Sequence, residues 1–373
     1  MSKLGDYVSI KASKKELHGE KFWLLNLDMV EQQTGQVLDY LYVPAAELNG
    51  SIIQFDTDCV LYSKLRPNLN KVVLPQTDGY ATSEMLPLRP STAVLSREYL
   101  AEYLRSDSFV NWAVSKTAGA KMPRLGTKEL LSKDITLPPL EEQAQIVALF
   151  QEIARLITLN KQQLTELDNL VKSRFIELFG EQKSNPFGWE QCAIGDCCTL
   201  KSGTSLPAEV ENEGGTIPYI KVGDMNYPGN ERYITTSSRY VSEKTAGHGV
   251  FAVGSIIFPK RGGAIGTNKK RMTKLPICAD LNVMGVYSNG SLLPEYLLSY
   301  FDLVDLGALS DGSSVPQINN KNIAPLIISV PPMELQTEFA AFVEHTDKLK
   351  LAVQQSITEL EELKKSLMQQ YFG

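Results

Sequence analysis

The chain has 373 residues, 43% of them hydrophobic and 21% charged, and a formal net charge of −6. Those proportions exclude disordered, collagen-like and disulfide-scaffold chains and leave room for about two domains. No uncharged run reaches the ~20 residues that a membrane helix needs. The opening MSKLGDYVSIK has no apolar signal core, so a cytoplasmic protein is expected.

In chain order, residues 1–137 read as mixed α and β. The run VLYS (60–63) suits a strand, and residues 97–114 have a helical pattern. After Pro138-Pro139 a long helix is predicted as far as Gly180, proline suiting a first turn and glycine the position just past a last one. Within it Ile146, Phe150, Ile153, Ile157, Asn160, Leu164, Leu167, Val171, Arg174 and Leu178 recur at alternating steps of four and three, which is a coiled-coil seam. Asn160 is either a register-fixing polar residue or a partly solvated one. GEQKSNPFGW (180–189) reads as a linker. Residues 181–330 are again mixed, with strand-like TIPYIKV, GSIIFP and NVMGVYS and a helical stretch at 294–306. Pro331-Pro332 then opens a second long helix to the end. Its seam is Phe339, Val343, Thr346, Lys350, Val353, Ile357, Leu360, Lys364, Leu367 and Tyr371, widened beside its imperfect positions by Leu349 and Leu363.

These elements form a repeat. Residues 118–143 lie over 310–336 so that Pro123 meets Pro316, Lys128 meets Lys321, Ile135 meets Ile328, Pro138-Pro139 meet Pro331-Pro332, and Gln143 meets Gln336. The expected fold is α+β. It has two mixed domains, 1–137 and 181–330, joined by antiparallel coiled-coil helices, 138–180 and 331–373, about a pseudo-twofold axis.

Chemistry is sparse. Five cysteines form no CxxC and only three histidines accompany them, so neither a metal site nor a cofactor is expected. The thiols should be reduced and packed as small hydrophobes. The glycine-rich GSIIFPKRGGAIGTNKK lacks the Gly-Lys-Ser/Thr ending of a phosphate loop, and neither a nucleophile elbow nor a zinc-protease motif occurs, so no catalytic residue is assigned. Charge is unevenly spread. Residues 141–180 hold six acids against four bases and 334–373 seven against four, whereas 254–275 hold six bases and no acid.

That basic stretch reads as a DNA-facing loop. Lys260, Arg261, Lys269, Lys270 and Arg271 suit phosphates, Gly262 and Gly263 permit close approach, and Asn268 suits a base edge. The counterpart in the first copy is Lys64, Arg66, Asn68 and Lys71, with Asn70 between them. The competing reading of each loop is a solvated hairpin tip. At the level of the whole chain, the rival is a coiled-coil scaffold with protein-binding domains.

The combination Trp189 with Ile194-Gly195-Asp196, then GTIPYIKVGDM from Gly215 to Met225, then apolar-Pro-Pro-x-x-x-Gln opening a long helix twice, resembles the specificity subunit of type I restriction-modification enzymes. The resemblance implies a non-catalytic subunit whose two domains each read half of a bipartite, asymmetric double-stranded DNA target. It also implies helices that dock two methyltransferase subunits, and through them translocase-nuclease subunits. The first copy has FWLLNLDMVEQQTG where the second has the Ile-Pro-Tyr-Ile string, so the two domains should read different sequences. Neither the target nor the base-reading residues are legible.

Overall fold

The structure, a computed structural model, describes residues 2–119, 121–212 and 214–373. It divides into two compact units, Met1–Lys161 with Gln354–Gly373, and Gln162–Val353.

In the first unit, one antiparallel sheet has the strand order Val8–Ile10, Met85–Pro90, Val60–Ser63, Val72–Val73. A second sheet runs Leu41–Pro44, Lys21–Leu25, Gly79–Thr82, Ile52–Phe55. The continuous apolar strand VLYS belongs to both cores. Val60 and Tyr62 point to the helices Arg97–Arg105 and Asp107–Ser115, while Leu61 points to Trp23, Phe55 and Met85 under the other sheet. The helical pattern at 97–114 is thus two helices. Ser106 breaks it, leaving helical φ/ψ so that its Oγ accepts the Phe109 N–H at 3.3 Å as an N-cap.

The second unit repeats this order. Its main sheet runs Cys198–Ser202, Val283–Ser288, Ile256–Pro259, Arg271–Thr273, with Tyr233–Ile234 added at the edge. Ile256 and Phe258 face the helix Pro294–Asp302, while Ile257 faces Phe251 and Ile277. The linker 180–189 is ordered: Asn185 in the left-handed region bonds both the N–H and the carbonyl of Trp189. Cys59, Cys198 and Cys278 are buried free thiols as expected, but Cys192 and Cys197 are joined as a disulfide, which corrects the all-reduced reading. They lie five residues apart, near the end of the strand Glu190–Ala193 and at the end of the short helix Ile194–Cys197, with Cα atoms 6.4 Å apart and so within bridging range.

The long helices are Leu140–Phe179 and Met333–Phe372. Every seam position named from the sequence is buried or half-buried. In the first unit Phe150 stacks on Phe372, ring centroids 6.0 Å apart, and Asn160 Nδ2 donates to Ser356 Oγ at 3.1 Å. In the second, Lys350 meets Asp168 at 2.6 Å, Arg174 meets Glu338 at 2.6 Å, and Phe175 lies 5.5 Å from Phe339. From Phe150 to Asn160 the partner moves from Phe372 back to Ser356, and from Asp168 to Arg174 it moves from Lys350 back to Glu338, so within each unit the contacting segments run antiparallel. The widened second seam is not found, since Leu349 and Leu363 are 43% and 47% exposed. The seam lysine Lys350 instead holds its place by ion-pairing with Asp168 and Asp347. Among the described residues no helix is long and apolar enough to cross a membrane.

Candidate nucleic-acid interface

Each basic loop joins the third and fourth strands in its main sheet's order, Val60–Ser63 to Val72–Val73 and Ile256–Pro259 to Arg271–Thr273, through a short 3-10 turn. In the first unit that turn is Pro67–Leu69, flanked by Arg66 at φ 48° and Asn70 at φ 49°. In the second it is Gly263–Thr267, flanked by Gly262 at φ 76° and Asn268 at φ 53°. Left-handed backbone at both ends favours glycine and asparagine, so the amides that recur in the sequence have a conformational cause. They also anchor the loop from within. Asn70 is buried and donates to the Arg105 carbonyl at 2.9 Å, while Asn268 Oδ1 accepts the Leu306 N–H at 2.9 Å.

Several of the basic residues turn inward. Lys270 is only 5% exposed, and its Nζ donates to the Val304 carbonyl at 2.6 Å and to Asn268 Oδ1 at 2.8 Å. Burial pushes its pKa down to about 8, against the opposing pull of Asp302 and Asp305. Arg271 spends its guanidinium on the carbonyls of Asn230, Lys270 and Met225, and burial lowers its pKa. Lys260 donates to Ser202 Oγ at 2.9 Å and Lys269 contacts the Asn226 side chain. Lys71 reaches the Leu27 carbonyl, and Lys64 lies 3.9 Å from Glu84. These residues close the loop on its own domain rather than presenting a row of free cations.

What remains open is narrower. Arg66 and Asn68 are exposed in the first unit, and Arg261, Gly263 and Asn268 in the second. A Cβ added at Gly262 or Gly263 would meet no atom within 4 Å, so the backbone there faces open space. Arg261 reaches Gln317 Oε1 only at 3.5 Å.

Sequence reasoning missed a second strand of chain beside each loop. In the first unit Arg66 N donates to the Pro123 carbonyl at 2.8 Å and Leu125 N to the Lys64 carbonyl at 2.9 Å. In the second, Gly262 N donates to the Pro316 carbonyl at 2.8 Å and Ile318 N to the Lys260 carbonyl at 2.9 Å. The signal was available: Pro123 and Pro316 are aligned in the repeat. Among the described residues no group of three or more His, Cys, Asp or Glu is placed to hold a metal ion.

Each loop-and-clip construction is followed in the chain by a long helix. The family described as the type I restriction modification DNA specificity domain matches residues 39–169 and again 186–364. The chain belongs to that family. Each matched specificity domain runs out of a mixed α/β region and into a long helix. The chain is 23% identical over 380 residues to the MjaIX specificity subunit of Methanocaldococcus jannaschii, covering 94% of this chain and 86% of that protein. It is 27% identical over 154 residues to the EcoDI specificity subunit of Escherichia coli, a match spanning 40% of this chain and about a third (34%) of that protein. Among solved structures, a chain from a study of complex assembly and conformational transition in a type I restriction-modification system shares the fold. It has a TM-score of 0.67 at 20% identity and covers 99% of this chain and 96% of that one. The specificity subunit from M. genitalium gives 0.58 at 13% identity, covering 98% and 94%.

Proposed function

We propose that this chain is the DNA sequence-recognition subunit of a type I restriction-modification complex. Residues 1–137 and 181–330 act as two target-recognition domains, each reading one half of a bipartite, asymmetric site in double-stranded DNA. The helices pair as an antiparallel coiled coil relating the two domains by a pseudo-twofold axis, and they dock two methyltransferase subunits, through which translocase-nuclease subunits join. The chain itself is non-catalytic, needs no cofactor and works in the cytoplasm.

The observation that carries this reading is the twofold match of the specificity-domain family, at 39–169 and 186–364. The antiparallel contacts of Asn160 with Ser356 and of Asp168 with Lys350 support the paired helices. The different sequences at corresponding places, FWLLNLDMVEQQTG in the first copy and the Ile-Pro-Tyr-Ile string in the second, support two unlike half-sites. The scaffold alternative finds no comparable support.

The test is to purify the chain with the methylation subunits of its own system, measure duplex binding by filter retention, and map methylated adenines in the host genome. One interrupted, asymmetric motif that disappears when this chain is deleted is expected. A motif unchanged by the deletion refutes the proposal.

A further inference from the structure

We propose that the first unit holds a duplex-phosphate clamp built from Arg66, Lys116 and Lys121, and that the second unit has no equivalent. This deepens the DNA-recognition reading above and rests on it. It assigns the sequence-independent part of binding to one unit.

The clamp is a β-hairpin seated on the basic loop. Thr117 pairs with Leu125 and Ala118 with Arg124. The second arm bridges onto the loop through Leu65 and Arg124, reinforced by the two backbone bonds at Pro123 and Lys64. Arg66 and Lys121 also touch, the Arg66 guanidinium lying 3.5 Å from the Lys121 carbonyl. The helix Asp107–Ser115, which leads into Lys116, packs on the Pro67–Leu69 turn of the same loop. Bases from two stretches of chain thereby meet, Arg66 of the loop against Lys121 of the hairpin, with Lys116 where the helix enters the hairpin.

Their charges are free. Arg66, Lys116 and Lys121 are exposed, and among the described residues none forms an ion pair. Glu84, the nearby acid, is already occupied by Arg124 Nε and Nη2 at 3.1 Å and by Lys64 at 3.9 Å. Residues 116–125 contain three bases and no acid.

The second unit separates charge from architecture. It makes the same clip, with Arg261 bridged to Gln317 and Gly262 bonded to Pro316, yet residues 309–318 hold one acid, Asp311, and no base. Asp311 is spent on its own turn, accepting from Ser313 and Gln317. A clip whose second arm closes without a base shows that folding does not require Lys116 or Lys121, so those two are available for an external anion. Lysine and arginine on a projecting hairpin suit repeated point charges, which a duplex backbone offers and a single base edge does not.

The test uses the full chain with its methylation subunits and random-sequence duplex DNA across a salt series. Each lost phosphate contact lowers the slope of log affinity on log salt by about 0.9. Lys116→Gln with Lys121→Gln should lower it by about 1.8 and weaken binding by roughly tenfold or more, equally for matched and unmatched duplexes. Arg66→Gln should remove about 0.9. Unchanged thermal unfolding midpoints confirm that these surface variants fold. If the double variant keeps the wild-type slope, the clamp is overturned while DNA recognition stands. If the wild-type complex binds no duplex at all, both fall.

Discussion

Gln143 accepts the backbone N–H of Ser96 at 2.9 Å, fastening the first turn of a long helix to the cap of the helix Arg97–Arg105. Its Nε2 donates to the carbonyls of Val94 and Pro138 at 2.8 and 2.9 Å, and the side chain is fully buried. Gln336 does the same in the other unit, accepting from Leu293 N at 2.8 Å and donating to Ser291 and Pro331 carbonyls at 3.0 and 2.9 Å. A buried amide with three partners is costly to remove, because each backbone group left behind loses its bond without regaining water. Gln143→Leu should destabilise the first unit by about 3 kcal/mol, and Gln336→Leu the second by a similar amount. Urea unfolding of each variant measures this; a loss under about 1 kcal/mol would mean that the glutamines are not the fastening.

This fastening shows what the sequence could reveal. The Pro-Pro-x-x-x-Gln spacing was visible as a repeated motif, but only the structure explains it: the prolines start the helix, and the glutamine, one turn further on, turns back to bond the carbonyl of the first proline. The seam residues were legible for a similar reason, since periodicity survives in one dimension. The loops were harder. Lys270 and Arg271 read as cations on offer because composition does not say which bases fold inward, and the partners of Lys270, such as the Val304 carbonyl, lie more than thirty residues away. The hairpin at 116–125 was passed over because its bases become a site only when Pro123 is laid against Arg66. Strand order was hidden too, as Val60–Ser63 sits between strands that follow it in sequence.

Lys270 predicts a pH dependence. Burial holds its folded-state pKa near 8, below the ordinary value of 10.5. Between those limits the unfolded chain binds the proton that the folded chain has released, so stability rises with pH by up to about 1.4 kcal/mol per unit. The penalty for a buried ammonium is fully present below pH 8 and fades toward pH 10.5. Lys270→Met keeps the stem and drops the charge. The difference in unfolding free energy between wild type and variant should shift in favour of wild type across pH 8 to 10. A difference that stays flat over that range would contradict a buried, titrating lysine.

Asn160 and Ser356 make a half-buried bond at 3.1 Å between the long helices. Neutral bonds of this kind contribute about 1 kcal/mol, so Asn160→Ala should cost little stability, and Asn160→Leu should offset the lost bond by added apolar burial. If the asparagine fixes register, the leucine variant should be as stable as wild type yet sample more than one helix alignment. Disulfide trapping with cysteines at seam positions would reveal this as cross-links in two registers rather than one. A single register in both proteins would reduce Asn160 to a tolerated polar residue.

Helix length supplies the sharpest test of the proposed bipartite reading. Each long helix has 40 residues, about 60 Å of rod at 1.5 Å per residue. A complete heptad of seven residues inserted into both helices keeps the four-three seam in phase and adds about 10 Å. At 3.4 Å per base pair that corresponds to about three base pairs. Methylome mapping of a host carrying the lengthened chain should return the same two half-sites with the unspecified gap grown by about three. Because the recognition domains are untouched, a changed half-site would point to altered docking instead. An unchanged gap would mean that the helices do not set the distance between the half-sites.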